Sequence, residues 1–403
     1  MKYIYIFFIL IFSVSKVHSN SRLPCELEKY FQVTDIYKSS LLDNNAKKLE
    51  MERERLSLLP DINISINQQS TNNSSFKGVM DSSLSVGLSM SVYRGNSYSK
   101  YKDKINKEIE YNNLMIHDKR NKYLVDLYRS VIEYKYKLDM LKLYSSQLQN
   151  EDAQLMVSKV KLESGEIAKI EYDIMNLRKE ELLNNLKNIE NEVKQSELNI
   201  YTQFNIPISY IKNISSNLIL SCKKQSAYSL LNKSKELLQQ KEYANYALTM
   251  SSMRPSVIFS LNMQPPTGGT IKDITTDRID FVAAINVTVP ISSYFLINNI
   301  KKEHSISLKR IESNYDEKDK LYIREKENVT NKMRVLERKI TLARKKVELK
   351  NKEVDYVLNR FREKKETIMS YYRQLDEYEH EKINLKKDER EYEFYKTYIG
   401  FLD

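Results

Sequence analysis

The chain has 403 residues, 30% of them charged, with a net charge of +11, seven Gly, seven Pro, two Cys, four His and no Trp. So little glycine and proline suits a protein dominated by helix. The bases are interleaved with acids, as where Glu348 interrupts Arg344 to Lys352, so the positive balance reads as solvated helix faces rather than a nucleic-acid surface.

The N-terminus begins with Lys2, an apolar run from Ile4 to Val14, and smaller residues at Val17 and Ser19. This pattern predicts a secretory signal peptide over residues 1–19. Cys25 follows Arg22-Leu23-Pro24, a poor lipoprotein box because the residues before the Cys are not small. Beyond the signal no apolar stretch is long enough for a transmembrane helix. Residues 26–58 read as helix, with Leu41, Leu42 and Leu49 among its apolar positions.

The pattern changes between Pro60 and Val92. Ile62, Ile64 and Ile66 alternate with Asp61, Asn63, Ser65 and Asn67. After a polar stretch from Gln68 to Ser83, Leu84, Val86, Leu88, Met90 and Val92 alternate with Ser85, Gly87, Ser89 and Ser91. A period of two predicts strands with one apolar and one small polar face. Such strands suit a soluble hairpin or a membrane barrel whose polar face lines a lumen. Arg94-Gly95-Asn96-Ser97 predicts a turn, with Ser97 or Ser99 capping the helix that follows. That helix meets no Gly or Pro until Gly165 and would be about 100 Å long. Its stripe of Leu114, Leu124, Leu127, Val131, Leu138, Leu141 and Leu148 argues for coiled-coil packing. Ser164-Gly165 breaks it, and a return helix runs from Glu166 to Phe204 with Ile167, Ile170, Ile174 and Leu177 at helical spacing.

Pro207 marks a linker over residues 205–217, between a first half (20–204) and a second half (218–403) that repeats the order. A helix from Ser226 to Ser252 leads to strands around Val257–Asn262 and Phe281–Val289, then a turn at Ser292-Ser293. A second long helix (Ile300–Lys364) and a return helix (Thr367–Leu402) follow. The lengths predict that each return helix stacks on the pre-strand helix of the other half, giving four columns about 100 Å long with four strands at one end. Cys25 and Cys222 lie at similar distances ahead of Pro60 and Pro255. An exported chain permits their pairing, the alternative being two free thiols.

The ordered set, duplicated at this spacing, resembles the TolC-like outer-membrane efflux protein family over nearly all of the mature chain. The residues carrying the likeness are Leu59-Pro60, Leu84 to Gly95, Glu163-Ser164-Gly165-Glu166-Ile167, Arg254-Pro255 and Phe281 to Pro290. The resemblance implies a mainly helical fold, a long antiparallel coiled-coil barrel carrying four strands per chain. Three chains would complete a twelve-stranded transmembrane β-barrel in outer-membrane lipid, with the helices crossing the periplasm of a Gram-negative cell. It further implies a passive exit duct for small molecules or polypeptides, in tripartite efflux or type I secretion. A periplasmic adaptor and an inner-membrane transporter would dock near the helical tips, around Gly165 and Glu366. In that family acidic residues six positions past the tip glycine line the entrance. Glu171 stands there in the first half, whereas in the second Glu366 takes the glycine place and Tyr372 the acidic one.

No catalytic, cofactor or metal site is expected. His18, His117, His304 and His380 show no metal-ligand spacing, and neither a nucleophile elbow nor a phosphate loop is present. The competing reading is a secreted or periplasmic coiled-coil structural or adaptor protein, which the scarcity of glycine disfavours.

Overall fold

The computed structural model describes residues 25–68, 81–265, 270–273 and 279–403. The predicted signal peptide and most of both polar loops lie outside these residues.

Helices α1 (Glu28–Val33) and α2 (Asp35–Leu56) precede strands β1 (Asp61–Asn67) and β2 (Ser83–Arg94). The 67-residue α3 (Ser97–Glu163) and the 36-residue α4 (Lys169–Phe204) follow. Short helices α5 (Ile208–Ile211) and α6 (Ser216–Ser221) lead to α7 (Ala227–Ser251), β3 (Ser256–Gln264) and β4 (Asp280–Thr288). Then come α8 (Ile291–Tyr294), the 66-residue α9 (Ile297–Arg362) and the 35-residue α10 (Ile368–Leu402).

Side-chain oxygens of Thr34, Ser215, Ser226 and Thr367 accept backbone N–H bonds at the starts of α2, α6, α7 and α10. The start of α3 departs from expectation. Its cap is Asn96 rather than Ser97 or Ser99, and no side chain bonds the first turn. Gly95 and Asn96 both turn through positive φ, at 62° and 65°, a region open to Gly and tolerated by Asn. Ser97 and Ser99 are already the first and third residues of the helix, so neither stands at the position before it from which a cap acts. Ser292 and Ser293 are likewise drawn into the helical turn α8, just after Pro290.

Helix α3 is the spine of the molecule. In the half nearer the strands it packs against α2 and α7, and α7 also packs on α9. In the half nearer the helical turns it packs against α4 and α10, and α10 packs on α9. The helices therefore lie in the order α2–α3–α7–α9 above and α4–α3–α10–α9 below. This corrects the stacking inferred from lengths: α10 continues the column of α7, and α4 that of α2. Both arrangements give columns of equal length, so length could not choose between them. The segment after α4 chooses. Ile206, Ile211, Ile214 and Ile219 are fully buried, so residues 205–221 cross the waist of the molecule as part of its core. They join Phe31, Tyr123, Leu124, Leu127 and Val131 in one cluster. Ser216 Oγ meets Thr397 Oγ1 at 2.6 Å and Lys223 donates to the Gly400 carbonyl, which seats the start of α7 against the end of α10. The disulfide Cys25–Cys222 ties the N-terminal segment to the end of α6.

Candidate functional site

The four strands form one antiparallel sheet in chain order, so β1 and β4 each present an open edge. Register decides what the faces carry. Ile64 pairs with Val86, Leu88 with Leu261, and Phe259 with Ile285, so the apolar alternation of every strand falls on one face. A bulge between Ser91 and Tyr93 brings Tyr93 opposite Val257 and adds its ring to that face. The other face carries Ser65 opposite Ser85, and a row of Asn63, Gly87 and Asn262. A Cβ on Gly87 would lie 2.8 Å from Asn262 Oδ1, so the glycine leaves room for that amide. In a single chain the apolar face is bare, with Ile62 65%, Ile64 70% and Ile285 70% exposed. Tyr93, Tyr294 and Phe295 are exposed at its helix end and Phe281 at its loop end. These are the positions where an aromatic girdle would meet the two rims of a lipid layer.

The opposite end of the molecule carries the two hairpin turns. Gly165 has φ 74°, and its N–H bonds to the Leu162 carbonyl while that of Glu166 bonds to Lys161. The second turn repeats this pattern at Lys364, with φ 58° and bonds from Lys364 to Phe361 and from Lys365 to Arg360. The residue in the glycine conformation is therefore Lys364, two positions before Glu366, and the place six residues on is Ser370 rather than Tyr372. Glu366 instead reaches back to Arg360, its oxygen 3.7 Å from Nε, and Tyr372 rests against Tyr371. Glu171 is exposed in the first turn of α4, where a carboxylate suits the positive end of the helix dipole.

Above the turns the two hairpins are joined by charge. Arg178 on α4 approaches Glu151 on α3 at 3.5 Å and Asp376 on α10 at 3.6 Å. Burial pushes the Asp376 carboxyl up to about 6, outweighing the pull of Arg178. Glu151 is raised in the same way. Nearer the sheet Glu108 on α3 holds Lys47 of α2 at 3.1 Å and Lys241 of α7 at 3.3 Å. Burial raises that carboxyl, but the two ammonium groups more than offset it and leave it below its ordinary value. None of these partners is close in sequence, so no local pattern announces them. Among the described residues no group of side chains could hold a metal ion, and no helix is long and apolar enough to cross a membrane.

Solved structures share the whole arrangement. CusC, studied for its conformational changes on folding and transmembrane channel formation, superposes with a TM-score of 0.69 at 10% identity, over 93% of this chain and 91% of its own. The CmeC outer membrane channel of Campylobacter jejuni gives 0.67 at 10% identity, over 93% and 84%. The outer membrane protein VceC of Vibrio cholerae gives 0.64 at 9% identity, over 94% and 96%. This chain has the fold of outer-membrane channels. No protein-family model matches the sequence, and no curated protein matches it. The likeness thus resides in the fold, over more than nine tenths of this chain, rather than in the sequence.

Proposed function

We propose that the protein is the outer-membrane exit duct of an export system, working as a homotrimer. The bare apolar face of the sheet carries this reading. A sheet exposing isoleucines on one face and mostly Ser and Asn on the other, where Ile258 and Val282 are the apolar exceptions, suits lipid outside and water inside. Its open edges cannot stand in lipid, so strands from other copies must close the barrel. Three copies give twelve strands, and the helices become a periplasmic conduit about 100 Å long. The conduit is passive. Cargo, small molecules or polypeptides, moves when an inner-membrane transporter drives it through a periplasmic adaptor seated near the turns at Gly165 and Lys364. Ser, Asn and Gly lining the barrel favour a water-filled path that does not sort strongly by charge.

Conductance tests this reading. Protein extracted from membranes in mild detergent and added to a planar lipid bilayer is expected to open stable, discrete ion-conducting steps. Protein that leaves the membrane without detergent and conducts nothing would contradict it.

A further inference from the structure

Among the described residues Arg120 on α3 is the only buried Lys or Arg, with 2% of its surface exposed. A guanidinium keeps its charge throughout the pH range of proteins, so its N–H donors must be matched wherever it is buried. Glu28, the first residue of α1, takes one side: its Oε2 lies 2.6 Å from Arg120 Nε. The other end of the group differs. Nη1 and Nη2 are both shut off from solvent and have no hydrogen-bond partner. Leaving such donors buried and unsatisfied is costly, so they call for a partner. One turn back on the same face of α3, His117 has a buried Nδ1 that is likewise unpartnered.

Charge decides what that partner is. Lys224, in the connector between α6 and α7, shares the same carboxylate, its Nζ 3.7 Å from Glu28 Oε1. Lys233 on α7 adds to the positive field felt at His117. One carboxylate thus answers three cations. His117 registers the imbalance: burial first, then Lys224 and Arg120, lower its proton affinity, and Glu28 offsets them only in part. The neutral imidazole can then offer an Nδ1–H. A water would satisfy the guanidinium donors but leave the charge unbalanced, whereas an anion does both. The end of a guanidinium presents two parallel N–H groups, a fork that suits a carboxylate and can equally close on one halide. Leu27 and Phe31, buried on the same segment as Glu28, close the site to anything large.

We infer that the waist binds a small monovalent anion, chloride or a carboxylate of formate size, on Nη1 and Nη2 of Arg120, with His117 and Lys224 beside it. The exposed Lys224 side chain marks the way in from solvent. Glu28 follows Cys25 by three residues and Lys224 follows Cys222 by two, so the anion and the disulfide brace the same crossing. Asn121 holds the connector in place, its Nδ2 donating to the Gln225 carbonyl at 2.9 Å. The anion therefore adds a removable ionic tie between α1, α3 and the α6–α7 connector. None of this requires the channel reading.

Thermal unfolding of the full-length protein in detergent tests the site, with sodium chloride or sodium formate replacing the salt of a bulky sulfonate at constant ionic strength. Either anion should raise the unfolding midpoint by about 2–4 °C and then saturate, and the one that raises it more is the preferred ligand. Arg120→Gln should abolish the rise. Lys224→Gln changes an exposed side chain and so reports even where Arg120→Gln does not fold: half-saturation should move to several-fold higher anion concentration. Glu28→Gln removes the one negative group and should move it to lower concentration, an opposite shift that lost packing would not produce. Crystals grown with bromide in place of chloride should show its anomalous signal within hydrogen-bond reach of the Arg120 fork. A midpoint indifferent to the anion supplied, with only a water on the fork, would overturn the inference. A bromide peak with no shift in midpoint would mark an adventitious ion only, and would overturn it too.

Discussion

Gly95 stands where the sheet meets the spine helix, and replacing it tests how tightly that joint is built. Its φ of 62° puts an L-residue in the left-handed region, and a Cβ there would lie 2.1 Å from the Ser251 carbonyl oxygen and 2.8 Å from the Arg254 Cβ. Gly165 provides an internal control. It has φ 74°, but a Cβ there meets nothing within 4 Å. Gly165→Ala should therefore cost only the left-handed penalty, about 1–2 kcal/mol. Gly95→Ala incurs the same penalty and must also push back a backbone carbonyl, which adds about 1–3 kcal/mol by analogy with overpacked cores. The total for Gly95→Ala is about 2–5 kcal/mol. Unfolding of both variants by urea, followed by circular dichroism in one detergent, reads the difference directly. Equal midpoints for the two variants, or a Gly95→Ala protein as stable as the parent, would refute the argument that close approach of α7 makes glycine obligatory.

Three further outcomes follow from the same geometry. Reducing Cys25–Cys222, or replacing both with Ser, opens a link across 197 residues. The chain-entropy treatment puts its contribution at about 5 kcal/mol, to be read as a shift in urea midpoint between oxidised and serine forms. Asp376 has a folded pKa of about 6 against 3.8 when unperturbed, so the folded state holds a proton that the unfolded state has released. Its contribution is present below about pH 4 and falls away as pH rises to 6, by up to about 3 kcal/mol. Asp376→Asn should flatten the stability profile over that window, leaving the smaller slope due to Glu151, and an unchanged profile would count against the buried carboxylate. On the sheet, Ile285→Lys places a charge on the apolar face and should cost about 2–4 kcal/mol of insertion at mid-membrane. Ala284→Lys, one residue away on the polar face, should insert normally, as fractionation of membranes would reveal.

What was legible in the sequence was what repeats locally. Alternation at Ile62–Ile66 and Leu84–Val92 located the strands, and the long stretches without Gly or Pro located α3 and α9 to within three residues. The order in which helices pack was not legible, because it depends on Ile206, Ile211, Ile214 and Ile219. Beside Pro207 these isoleucines look like an ordinary connector, yet they are buried. The second hairpin turn was misplaced for a related reason. Lys364 adopts the left-handed backbone that Gly165 takes cheaply, and no residue type marks a lysine doing so. Arg178, Glu151 and Asp376 come from three helices and meet only once these are packed.

The most direct test of the central claim is electron microscopy of particles extracted from membranes in mild detergent. The account predicts elongated three-fold particles with a shaft about 100 Å long, capped at one end by a belt of bound detergent around the strands. Single rods without a detergent belt, recovered from the soluble fraction, would contradict it.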